Sequence, residues 1–298
     1  MKKNDICTAG QKANVLNEKE LMLQCHHPFL VKLNQTYHDD RYLYMLLEFV
    51  QGGELFTFLH SRRWKSDYAV FFTACTVAAL GHMHRQSIAY RDLKPENILI
   101  AESGYVKIID FGFAKAIDGK AYTLCGTPDY MAPEIITGRG HNQSVDWWAL
   151  GVLVFEMLTG YAPFSDEHGD QVVVFKNIVS GYLYFPKKMD PDSQDIISLL
   201  LKPDSVVRLG CGHDDEMSVR KHPWFSSMAW AALLSKQLEP PWRPSLDGPE
   251  DTTYFDTDDI FLDDGMDEGP ENDQRFKSSE QSVSAWEKWG VDVSSSIL

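Results

Sequence analysis

The residues that most constrain this chain are Tyr90-Arg91-Asp92-Leu93-Lys94-Pro95-Glu96-Asn97 and, shortly after them, Asp110-Phe111-Gly112. Between the two lie Ile98-Leu99-Ile100 and Tyr105-Val106-Lys107-Ile108-Ile109, separated by Ser103-Gly104. Two β-branched runs around a glycine turn read as a short hairpin, with a polar loop at one end and a carboxylate at the other. The polar loop supplies Asp92 and Asn97, and the second run leads into Asp110. Their side chains are hard oxygen donors suited to Mg²⁺, with one carboxylate left to take or orient a hydroxyl proton. Phosphoryl transfer requires those groups in one place.

Two further strings follow in order, Gly126-Thr-Pro-Asp-Tyr-Met-Ala-Pro-Glu134 and Asp146-Trp-Trp-Ala-Leu-Gly151. Together the four motifs resemble the eukaryotic protein kinases, from about residue 3 to about residue 260. Tyr90, where most such families carry His, and Thr123-Leu-Cys-Gly-Thr-Pro128 resemble the cyclic-nucleotide-dependent branch of the AGC Ser/Thr kinases. The resemblance implies an α+β, bilobal fold: part of a small lobe over residues 1–50, a helical large lobe over 51–237 and a C-terminal tail over 238–298. It implies ATP and Mg²⁺ as cofactors, Asp92 as proton acceptor, Lys94 on the transferring phosphate, Thr127 bonded into the same loop, and Asn97 and Asp110 as metal ligands. Lys94 also points to Ser/Thr rather than Tyr substrates. Asp146 is expected to support the backbone of the loop from below.

The small lobe is expected to be incomplete. Glu18, in Leu16-Asn-Glu-Lys19, matches the helix glutamate that pairs with a strand lysine in this family. That lysine and the Gly-rich phosphate loop are expected upstream of Met1, with the first three strands outside the chain. Lys2 and Lys3 fit the solvated start of the connection into the helix. The resemblance makes Leu47-Glu48-Phe49-Val50 the link between lobes. There the Glu48 carbonyl and the Val50 amide and carbonyl read the adenine, Leu99 floors the pocket, Leu47 guards its back and Glu54 borders the nucleotide. Plain core packing accounts for Leu47 and Leu99 equally well.

Substrate choice follows from charge. Glu54, Glu96 and Glu156 stand where the basophilic kinases read arginines before the target residue, and Leu124, Pro128 and Met131 where they shape an apolar pocket after it. Glu156 lies on an otherwise apolar helix, where an unpaired charge is costly and a substrate arginine would pair it bidentately. Thr123 matches the activation-segment phosphorylation site, with Arg91 and Lys115 as the cations a phosphate would gather. Cys125 beside it reads as an ordinary thiol. Glu134 and Arg208 match the ion pair that braces the large lobe. Expected partners are proteins with basic residues before a Ser/Thr and a cyclic-nucleotide-binding regulatory subunit or domain. The alternative is a truncated pseudokinase that binds without turnover.

At 298 residues and 44% hydrophobic, the chain can bury a large core. Its net charge of -15 is concentrated: residues 247–273 hold twelve acidic side chains and no Lys or Arg, leaving about -3 for the rest. No basic stripe is present for nucleic acid. Five scattered cysteines fit reduced thiols in a cytoplasmic protein, and no apolar run of roughly 18 residues is long enough for a bilayer. Helices are expected over 10–24 (with Val15, Leu16, Met22 and Leu23 turned partly inward), 67–86 and 144–159, and near 170–180, 193–201 and 228–236. Strands are expected over 30–33 and 42–47, joined by the turn His38–Arg41. In the tail, Pro240–Pro244 is stiff, 252–259 resembles the segment crossing the nucleotide cleft, and 263–285 is acidic, then Ser-rich, and expected to be disordered. Trp286 and Trp289 loosely resemble a two-aromatic motif that docks on the small lobe.

Overall fold

A capping box starts the first helix, α1 (Ala9–Gln24), in this computed structural model, which describes residues 1–61, 64–212, 215–255, 286 and 289–293. Thr8 Oγ1 accepts the Gln11 amide at 3.1 Å while Gln11 Oε1 accepts the Thr8 amide at 2.9 Å. Leu21 and Met22 are buried, whereas Leu23 is 44% exposed, so the inward face sits one residue earlier than the apolar pattern suggests.

The first two strands are β1 (Leu33–His38) and β2 (Leu43–Leu47), antiparallel with Tyr37 opposite Tyr44. Asp39 makes the turn by accepting the amides of Arg41 at 2.7 Å and Tyr42 at 2.6 Å. The strand expected over 30–33 is displaced. Phe29, Leu30, Val31 and Leu33 are buried while Lys32 is exposed, and the backbone bonds elsewhere: Val31 donates to the Ile108 carbonyl and Ile108 to that of Phe29. Strand pairing passes to the next segment, which alternates.

A third strand, β7 (Val291–Asp292), lies parallel to β1 at Tyr37 and His38. It follows Trp286 and Trp289, which are 5% and 0% exposed and pack with Ile6 and Leu43, with Val15 and Leu16 of α1 against them. The tail is therefore anchored to the small lobe by two buried indoles. Lys19 Nζ and Thr36 Oγ1 both donate to the Trp289 carbonyl. The acidic and Ser-rich stretch 263–285, and residues 256–259 of the cleft segment, lie outside the described residues.

The large lobe is built on two helices buried almost all round, α3 (Ala69–His84) and α5 (Ser144–Thr159). Around them are α2 (Leu55–Leu59), α4 (Pro133–Ile136), α6 (Gln171–Ser180), α7 (Pro191–Leu200), α8 (Asp215–Arg220) and α9 (Trp230–Leu234). Two short strand pairings complete the front: β4 (Ile98–Ile100) with β5 (Val106–Ile108), and β3 (Ile88–Ala89) with β6 (Lys115–Ala116). The hairpin expected around Ser103-Gly104 is the first of these. The tail then returns over the lobe junction, with Trp242 stacked on Phe58 at 4.0 Å and Phe255 on Phe49 at 6.3 Å. No helix among the described residues is long and apolar enough to cross a membrane.

Candidate active site

The loop between β3 and β4 is held from below by one carboxylate. Asp146, at the start of α5 and 0% exposed, accepts the amides of Tyr90 and Arg91, each at 2.8 Å. The second bond matters because Arg91 has φ 70, a left-handed conformation that a long side chain takes only under constraint. The constraint turns Asp92 into a network. Asn97 Nδ2 donates to the Asp92 carbonyl at 2.9 Å and to its Oδ2 at 2.8 Å; Thr127 Oγ1 donates to Oδ1 at 3.1 Å. Lys94 Nζ lies 3.2 Å from Oδ2 and donates to Thr127 Oγ1 at 3.0 Å. Thr127 reaches this loop because Gly126 precedes it: at φ +100, a Cβ there would meet the Arg91 carbonyl at 2.8 Å. Asp92, Lys94, Asn97 and Thr127 are thus in direct contact.

Asp110 completes the group from the other end of the hairpin. Tyr90 Oη donates to the Ile109 carbonyl at 2.5 Å and the Ile109 amide to the Asn97 carbonyl at 2.9 Å, which fixes Asp110 beside the loop. Asp110 has φ 58, is exposed, and accepts the Gly112 amide at 2.9 Å. Behind it, burial and the neighbouring Asp110 carboxylate push Glu18 up to about 7. Two carboxylates left facing one another call for a cation between or beside them. Asn97 commits its amide nitrogen to Asp92 and keeps its oxygen as a ligand atom. This donor set fits Mg²⁺ and a nucleotide phosphate's counter-charge.

Glu18 carries a pH signature. Its folded-state value lies above its ordinary 4.5, so its contribution to stability is present below pH 4.5 and lost as pH rises through about 7. Glu18→Gln should match the parent in urea unfolding at about pH 4 and exceed it at about pH 8 by roughly 2–3 kcal/mol. Equal differences at both pH values would contradict this. Lys3 does not serve Glu18: its Nζ donates to the Asp39 carbonyl at 2.5 Å.

At the lobe junction, Glu48 is tied by residues that sequence reasoning missed. Its Oε1 accepts the Lys32 amide at 2.8 Å and meets Lys107 Nζ at 2.5 Å, and Lys107 also donates to the Leu30 carbonyl at 3.2 Å. Lysine on a buried strand was the available signal, since such a charge demands a partner. Val50 is buried, Leu99 half-buried and paired through its backbone with Glu54, and Leu47 39% exposed.

Glu54, Glu96 and Glu156 share one electrostatic field. Burial, then Glu96, raises Glu54; burial raises Glu156, with Glu96 adding to it against a hydrogen bond from Tyr130. Glu96 Oε2 is buried without a hydrogen-bond partner. Glu156 was expected to pair with a substrate arginine; within the chain Tyr130 Oη donates to its Oε2 at 2.5 Å, a neutral phenol that satisfies one oxygen and brings no positive charge. The three expected apolar residues differ in exposure: Leu124 is 65% exposed, Pro128 half-buried and Met131 buried.

Thr123 is exposed. Arg91 turns its Nε to the Phe113 carbonyl at 2.7 Å and its Nη1 towards His141 Nε2 at 3.4 Å. His141 also pairs through its backbone with Ala121, two residues before Thr123. Lys115 lies exposed on β6. Burial pushes the Cys125 thiol up, so it is not a reactive thiolate. Glu134 and Arg208 form a bidentate pair at 2.7 and 2.9 Å.

Residues 1–225 match the protein kinase domain family. The chain is 44% identical to human cAMP-dependent protein kinase catalytic subunit PRKX over 254 residues, covering 85% of this chain and 70% of that protein. It is 43% identical to a cAMP-dependent protein kinase catalytic subunit of Arthrobotrys oligospora, covering 86% of this chain and half of that one. Identity is 42% to a Drosophila melanogaster cGMP-dependent protein kinase, isozyme 2, covering 86% of this chain and 28% of the relative. With the carboxylate, lysine and asparagine of its central loop gathered as such an enzyme requires, the chain belongs to the protein kinase family, in the AGC group beside the cAMP- and cGMP-dependent Ser/Thr kinases.

Proposed function

We propose that this chain transfers the γ-phosphoryl group of ATP to Ser or Thr in arginine-rich sequences, as a kinase of the cyclic-nucleotide-dependent type. The observation that carries this reading is the contact network of Asp92 with Lys94, Asn97 and Thr127. Nothing about packing requires a buried carboxylate, an ammonium and a carboxamide to converge there. Bound ATP and Mg²⁺ supply the phosphoryl group and neutralise its charge, held by Asn97, Asp110 and the Glu48–Val50 backbone. Asp92 orients the substrate hydroxyl and accepts its proton; Thr127 and Asn97 hold the carboxylate in place. Lys94 stands against the transferring phosphate. In domain terms, residues 1–50 contribute to the small lobe, 51–237 form the large lobe and 238–298 the tail.

Glu54, Glu96 and Glu156 read arginines before the target residue, and the same glutamates suit the basic segment of a cyclic-nucleotide-binding regulatory subunit or domain. Glu156→Gln is expected to raise KM for an Arg-Arg-x-Ser peptide by ~10–100-fold, the value of one charged hydrogen bond, while sparing an arginine-free peptide. Equal loss on both peptides refutes the assignment. Phosphate on Thr123, gathered by Arg91 and Lys115, orders the activation segment; Thr123→Ala should lose most of the phosphorylation-dependent gain in kcat. Full activity in that variant would remove the switch.

The direct test is phosphate incorporation into an Arg-Arg-x-Ser peptide from ATP and Mg²⁺. One observation favours a second reading, binding without turnover: Glu18 is raised by burial and Asp110 rather than neutralised by a lysine. Nucleotide binding measured by equilibrium dialysis separates the two, since a docking module would hold the peptide and ignore ATP.

A further inference from the structure

His84, in the last turn of α3, lies between two carboxylates. Its side chain is 1% exposed, and Nε2 is 2.8 Å from Asp146 Oδ2. On the opposite edge of the ring, Nδ1 has no hydrogen-bond partner among the described residues but lies 3.6 Å from Asp215 Oδ1. Asp215 opens α8, and its Oδ1 also accepts Trp147 Nε1 at 2.9 Å. The Trp147 ring stands edge-on to His84, with centroids 4.9 Å apart. A neutral imidazole donates from one nitrogen only and would turn a lone pair towards the other carboxylate. An imidazolium donates towards both. The C-terminal end of α3 favours the cation as well.

We propose that Asp215 is a positioning residue for the loop that carries Asp92: it holds His84 as the charged partner of Asp146, which in turn holds the Tyr90 and Arg91 amides. The proposal rests on the kinase reading only in what it says of turnover. Burial alone would lower His84, but its two carboxylate neighbours outweigh burial and raise it to about 9. Among the described residues no other charge is set against the ring. The Cys211 thiol, from the loop before α8, is pushed up to about 12 by burial and stays neutral, and Arg85 is committed to Glu216. With Asp215 neutral, Asp146 alone must offset the burial of the cation, and His84 releases its proton at lower pH. Asp146 then keeps its two amide donors without a neighbouring positive charge. Arg91, held left-handed at φ 70, depends on one of those bonds.

The test is an NMR titration of the full chain from pH 6 to 10, following the His84 ring nitrogens and the Tyr90 and Arg91 amides. In the parent chain all three should titrate with one alkaline midpoint. In Asp215→Asn, which preserves shape and the acceptor for Trp147, the common midpoint should fall by roughly one pH unit or more. Asp215→Glu should restore it. An unchanged His84 midpoint in Asp215→Asn, or amides that ignore His84, overturns the proposal. Phosphotransfer to an Arg-Arg-x-Ser peptide, measured in parallel, separates the two readings. Amide coupling without turnover overturns the kinase reading and leaves the relay standing. Turnover whose alkaline limb does not move in Asp215→Asn overturns the relay.

Discussion

Asp92→Asn is expected to lower kcat for peptide phosphorylation by ~10²–10⁴-fold, the usual contribution of a positioned proton acceptor, with KM for peptide and ATP little changed. The asparagine keeps the size of the side chain and loses its charge and half its accepting capacity. In the native loop Oδ2 takes the Asn97 Nδ2 bond and the Lys94 ammonium, and Oδ1 takes the Thr127 hydroxyl. A carboxamide accepts on one side only, so with its oxygen on Asn97 its nitrogen faces Thr127, whose hydroxyl must then accept instead of donate. The loop itself should survive, because Asp146 secures it through the Tyr90 and Arg91 backbone rather than through Asp92. Urea unfolding of the variant should therefore stay near that of the parent. Undiminished turnover in a variant that folds normally would remove Asp92 from the chemistry. A parallel loss of folding would make the defect structural.

The second large effect is on stability. Arg208→Met and Glu134→Gln are each expected to cost roughly 3–5 kcal/mol, because each leaves a buried charge without its partner. The Arg208 side chain is 0% exposed and that of Glu134 9%. Beyond the two carboxylate bonds, the guanidinium donates to the carbonyls of Ser144 at 2.9 Å and Lys202 at 3.0 Å and lies 5.2 Å over the Trp148 ring. Despite a burial that opposes it, the Arg208 guanidinium holds the Glu134 carboxyl below its ordinary range. Set against a domain stability of about 5–15 kcal/mol, either change removes a large share. The check is a urea midpoint that falls while the slope stays constant. A loss below about 1 kcal/mol in both variants would contradict the buried-pair account. Changing both residues to apolar ones of similar volume should recover much of the loss, since the penalty lies in the stranded charge.

Much of this site is legible in the amino-acid order. The Ser103-Gly104 turn between β-branched runs specifies the hairpin, and the hairpin alone places Asp110 near Asn97. The helix over 144–159 is readable because its residues are apolar all round and it ends at Gly160, which takes the left-handed conformation at φ 86. These features depend on neighbours within a few positions, where backbone geometry and burial pattern act directly. Less local readings fared unevenly. The run over 30–33 looks like a strand, yet its backbone bonds to Ile108, and the strand pairing falls to Leu33–His38.

Only the tertiary structure decided which charges meet. That Tyr130 satisfies Glu156, that Lys107 clips Glu48, and that His84 stands between Asp146 and Asp215 all depend on contacts between distant segments. Each left a trace in the sequence, an ionisable side chain in an apolar run, which announces that a partner is needed without naming it. The same holds for Glu18, whose rise to about 7 follows from its burial and then from the nearby Asp110 carboxylate. Turns and helices are chosen by local steric and burial terms that any reader of the chain can apply. A buried charge is settled by whichever group the fold brings within about 4 Å, where Coulomb energy and desolvation are both large, and that is known only when the chain has closed on itself.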